Sequence, residues 1–166
     1  RSVAPGFMAE YDAAVLASTA DPVDELIETS KAVGFLRSDH ANCSAILWDN
    51  LERNPDKLAV IGPAGSLTYA QLVAAAAQWG NAFLRFGLRR GDRIPFFLDD
   101  TPAYPAAFFG AVRAGLVPVL LNTQINAETL AYFLADTEAR LVLCEADLRG
   151  AFSDDIVAAS AVEKII

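Results

Sequence analysis

Histidine is nearly missing from this chain: His40 is the sole one among 166 residues. Cysteine is scarce too, with Cys43 and Cys144 a hundred positions apart in different contexts. These shortages leave almost no raw material for a histidine-based triad or a zinc site. His40 sits in a polar loop ahead of a helix, where it reads as solvated or capping rather than catalytic. Cys144 ends the apolar run "LVLC" and reads as a small core residue. Cys43 follows Asn42 and has no basic neighbour to lower its pKa. Basic charge is also short, with 13 Lys and Arg against 21 Asp and Glu, a net charge of −8. That balance argues against a nucleic-acid or anionic-membrane partner, since both select a basic face. No apolar run reaches the roughly 18 residues of a membrane span. The opening "RSVAPGFMAEYD" lacks the basic-then-apolar layout of a signal peptide. With two unpaired cysteines in separate contexts, the expectation is a reducing, cytoplasmic setting. Neither G-x-G-x-x-G nor G-x-x-x-x-G-K-[ST] occurs, so both common phosphate loops are absent.

What is present is apolar. A composition of 54% hydrophobic and 20% charged residues suits one globular domain with ample core. Two regions differ. Residues 1–41 are acidic and interrupted, and read as a partly helical arm that packs on something else. The only methionine is Met8, so the first seven residues have the look of an added leader. From Asn42 to Ile166 the elements are regular. "NCSAILWDNLERNP" is a helix capped by Asn42 or Ser44 and stopped before Pro55. "KLAVIGPAGSLTY" is a hairpin turning through Gly-Pro-Ala-Gly. In "LTYAQL", Thr68 and Gln71 form a T-x-x-Q capping box, with Leu67 and Leu72 at the staple positions. The helix behind it carries Leu72, Ala76, Trp79, Phe83 and Phe86 at spacings of three and four, and Gly87 is its left-handed stop.

Strands are expected in "GDRIPFFL", "LVPVLLN", "ARLVLCEA" and "VEKII". The second of these runs places Pro118 where a central strand would suffer. Between the strands lie helices: "TPAYPAAFFGAVRAG", with Pro102 and Pro105 in its first turn, and "AETLAYFLAD", capped by Asn126 and stapled by Ile125 and Leu130. "DLRGAFSDDIVAAS" reads as loop with a helical piece. Alternation of near-continuously apolar strands with helices predicts an α/β fold, a parallel sheet covered by helices. Because "VEKII" has no helix after it, the expectation is a truncated domain.

Candidate chemistry is thin. Asp99 and Asp100 follow a strand, where a parallel sheet places its ligands, and could hold Mg²⁺ or serve as a receiver-type phosphoacceptor. The simpler reading is that one of them caps the next helix. Arg85, Arg89, Arg90 and Arg93 gather around Gly91. Arg85 complements a helix dipole and the others read as a solvated turn. The segment "DDTPAYPAAFFGAVRAGLVPVLLNT" carries Ala107, Gly110, Ala111 and Ala114 at spacings of three and four, a nearly flat helix face suited to lying on a sheet.

The order of these landmarks resembles the adenylate-forming acyl- and aryl-CoA synthetases, relatives of peptide-synthetase adenylation domains and luciferases. "NPDKLAVIG", "LTYAQL", "GLRRGDRIPFFL", "GAVRAGLVPVLLN" and "LAYFLADTEARLVLC" follow one another at that family's distances, covering Asn42 to Cys144. "DTPAYPAAFFGAVRAGLVPVLLNT" looks most like the benzoate-CoA ligase branch. The resemblance implies an N-terminal piece of a ligase that uses ATP, Mg²⁺ and coenzyme A to activate a carboxylic acid, and allows a homodimer. It implies a phosphate loop, an acidic nucleotide motif and a catalytic lysine beyond Ile166. No catalytic or metal-binding residue is therefore assigned within the chain, the cofactor-binding residues are unassigned, and the isolated chain is expected to be inactive. Two other classes stay open: a receiver-like binding or signalling module using Asp99 or Asp100, and a free-standing assembly remnant of the synthetase fold.

Overall fold

The computed structural model describes residues 42–166. The readings made for the arm at 1–41, His40 included, lie outside the described residues. Twelve elements follow in order: helix α1 (Ala45–Arg53), strands β1 (Leu58–Gly62) and β2 (Gly65–Thr68), helix α2 (Tyr69–Arg85), β3 (Arg93–Phe97), α3 (Ala103–Arg113), β4 (Val117–Leu120), α4 (Ala127–Thr137), β5 (Leu141–Cys144), a 3-10 turn (Ala146–Ala151), α5 (Asp154–Ala158) and β6 (Lys164–Ile165). They gather into two compact units. Among the described residues, one takes 42–87 plus Thr101–Ala114, and the other takes Leu88–Asp100 plus Gly115–Ile166.

The first unit holds the hairpin and helices α1 to α3. β1 and β2 pair antiparallel from Leu58↔Thr68 to Gly62↔Gly65, leaving Pro63 and Ala64 as the turn. Gly65, at φ +138°, supplies the backbone conformation that a side chain would resist. At Thr68 the strand becomes helix through the capping box. The Thr68 hydroxyl accepts from Gln71 N at 3.2 Å, and Gln71 Oε1 accepts from Thr68 N at 2.9 Å. Two further N–H groups of the first turn, on Tyr69 and Ala70, reach the carbonyls of Lys57 and Pro55 at 3.0 Å. Donors that a helix start leaves open are thus satisfied by the hairpin's own approach. Leu67 and Leu72 are both buried, as staple residues should be. Gly87 takes φ +84° and ends α2 as expected.

Helices α2 and α3 meet at glycine. A Cβ on Gly110 would run into the Ala76 carbonyl, with Trp79 Cβ 2.8 Å and Gly80 N 2.9 Å away. One on Gly80 would stand 2.9 Å from the Gly110 carbonyl oxygen. The flat face expected to lie on a sheet therefore uses Gly110 for a helix–helix crossing instead. Close approach of two backbones demands glycine more strictly than a sheet surface does. Trp79 and Phe83 stack at 5.5 Å on the same helix. α1 is tied to the end of α3 twice. Asn42 Nδ2 donates to Val112 O at 3.0 Å, and the Arg113 guanidinium lies 4.1 Å from the Trp48 ring centroid. Ser44 stands before α1 and its hydroxyl caps no helix N–H; it donates instead to Asn42 Oδ1, which also accepts from Ser44 N at 3.0 Å. Of the two candidate caps, Asn42 is the one that works.

The second unit is a four-stranded parallel sheet in the order β4-β3-β5-β6. Burial follows position. Ile94 to Phe97 of β3 and all of β5 are buried, whereas β4 exposes Val117 and Leu120. Pro118 thus sits on an edge strand, where a missing N–H is tolerated. Pro95 is inside β3, opposite Val119 of β4, and the ladder with β5 is made beyond it by Phe96 and Phe97. α4 covers one face. Leu130 and Leu134 pack with Phe97, Leu121, Val142 and Cys144, and Ile125 joins them from the staple position. Asn126 Oδ1 caps α4 by accepting from Thr129 N at 2.8 Å. At the other end Glu138 takes φ 49°, the left-handed stop that glycine usually fills.

Candidate functional site

From β3 the chain crosses to β4, then returns past β3 to β5 on the other side. Connections therefore leave β3 and β5 in opposite directions, and the crevice at their C-terminal ends is where an open parallel sheet receives ligands. Asp99 and Asp100 follow β3 and are exposed. Glu145 follows β5, its N–H donating to Phe97 O at 3.1 Å. Asp147 comes two residues later.

Neither aspartate caps α3. Pro102 holds the cap position, which it cannot fill with a side-chain acceptor, and no side-chain cap bond forms. The Asp99 carboxylate instead accepts from the Thr123 hydroxyl at 3.4 Å. Two residues and a proline separate Asp99 from the first helical turn, and its partner lies in the loop that follows β4. Among the described residues no group of His, Cys, Asp and Glu could hold a metal ion. Carboxylates at this edge also disfavour the phosphates of a nucleotide, and the described residues offer no glycine-rich loop or lysine beside them. They do not fit ATP as a complete site.

The arginine-rich turn is more ordered than a solvated loop. Arg93 Nε donates to Thr137 O at 2.6 Å and its Nη2 pairs with Glu138 at 3.2 Å. It caps the C-terminal end of α4, where exposed carbonyls favour a cation. Sequence spacing could not show this, because Arg93 and Thr137 are brought together only by the parallel packing. Arg140 pairs with Asp92 at 3.4 Å nearby. This cluster lies at the start of β3, opposite the ligand end. Arg85 stands in the last turn of α2, as read from sequence.

Cys144 is buried, and burial pushes its thiol up to about 11. Its Sγ donates to Glu145 O at 3.1 Å. It is a core residue, not a nucleophile. Cys43 is exposed. Arg113 went unremarked in the sequence. Burial lowers its pKa, and its contact with Trp48 gives it a packing role. No described helix is long and apolar enough to cross a membrane.

Comparisons with known proteins agree on one kinship. The chain is 42% identical over 91 residues to the 4-hydroxybenzoate–CoA/benzoate–CoA ligase of Rhodopseudomonas palustris, a stretch covering 55% of this chain and 17% of that enzyme. It is 32% identical over 145 residues to phosphinothricin tripeptide synthetase PhsC of Streptomyces viridochromogenes, covering 87% of this chain and 13% of that protein. Its fold matches the crystal structure of a benzoate CoA ligase from Burkholderia xenovorans LB400 with a TM-score of 0.69 at 30% identity, over 76% of this chain and 26% of that one. The matched stretches thus span only 17% and 13% of the length of these two curated relatives. The pattern that defines the AMP-binding enzymes matches residues 47–165, nearly everything the structure describes, and the chain belongs to that family.

Proposed function

We propose that the chain is the opening α/β portion of an AMP-forming acid–CoA ligase acting on an aromatic carboxylic acid. The observation that carries this is the 42% identity to a benzoate-activating ligase across 91 residues. In the proposed reaction a carboxylate oxygen attacks the α-phosphorus of Mg·ATP and expels pyrophosphate. The thiol of coenzyme A then attacks the acyl carbon and expels AMP.

Residues 42–166 act in it as scaffold. They form a first α/β subdomain, residues 1–41 form an arm, and the groups that hold phosphate, Mg²⁺ and the transition state come from elsewhere in the enzyme. No catalytic residue is assigned here. A cytoplasmic setting and a homodimer complete the reading, the latter by analogy of fold.

The test is pyrophosphate release and thioester formation by the full reading frame with benzoate, hydroxybenzoates and fatty acids. Benzoates are expected to turn over, and the 166-residue chain alone is expected to give neither product. Turnover by the rigorously purified chain, or by the full frame with fatty acids only, would overturn the proposal.

A second reading has its own support. An alignment of 145 residues to the tripeptide synthetase cannot fit within 42–166, so it takes in part of the acidic arm. An amino-acid-activating unit of a peptide synthetase would explain likeness there. Amino-acid-dependent pyrophosphate exchange, with no CoA thioester, would select it.

A further inference from the structure

We draw no further inference here: the strongest candidate, the open cavity of about 280 Å³ between β6 and α5, has a rim shared by Arg149, Lys164, Asp154 and Glu163 that selects no single ligand charge, and nothing in the structure shows what covers its apolar floor of Phe152 and Val162.

Discussion

The helical unit and the sheet unit are held by different means. In the first, α2 and α3 approach until backbone touches backbone, and glycine is what lets them. In the second, strands and helix stand further apart and side-chain volume fills the space between. One contact is limited by what must be left out, the other by what must be put in. A methyl group added to the first and methyls removed from the second should therefore both destabilise, for opposite reasons.

The largest effect is expected in the sheet unit. Leu134 is fully buried among Phe97, Leu130 and Val142. Leu134→Ala should cost about 3–4 kcal/mol through lost burial and the cavity left behind, read from urea denaturation. A loss below about 1 kcal/mol would show that α4 settles into the gap and that volume does not govern this unit.

The sharper contrast is Gly110→Ala. Helix propensity alone predicts stabilisation of about 1 kcal/mol, because glycine is a poor helix former. The crossing predicts the reverse. The new Cβ would meet the Ala76 carbonyl and the Gly80 backbone, neither of which can swing aside as a side-chain tip could. We expect a net loss of about 2–3 kcal/mol, at the upper end of overpacking costs. A gain in melting temperature would break the comparison.

A smaller effect tests the joint between hairpin and helix. Thr68→Ala removes the hydroxyl that accepts from Gln71 N and should cost about 1 kcal/mol. Gln71→Ala removes the reciprocal half, and the pair should couple in a double-mutant cycle. Additive costs would mean that each bond stands alone.

Local signals were legible because their causes lie within a few residues. Thr68 with Gln71, Asn126 with Thr129, and the stops at Gly87 and Gly115 depend on spacings of three or four along one chain. Pro118 on an edge strand was legible for the same reason, since a missing N–H is a property of the residue. The site was less so. One of Asp99 and Asp100 read as a helix cap, yet neither caps α3, and the partner of Asp99 is Thr123, 24 positions on. Arg93 read as part of a solvated turn, yet it caps α4, 44 positions on. Both errors arise where two crossover connections bring distant ends together, a juxtaposition no local pattern encodes.

By itself the sequence determined the alternation of strands and helices, their caps and stops, the buried character of the central strands and the kinship carried by five ordered motifs. Those follow from periodicity, backbone preference and the order of landmarks. Tertiary structure alone decided that the small residues of α3 include one serving a helix crossing, that Arg93 closes α4, and that Asp99 reaches Thr123. Each is a contact between elements far apart in the chain, and only packing sets which surfaces meet.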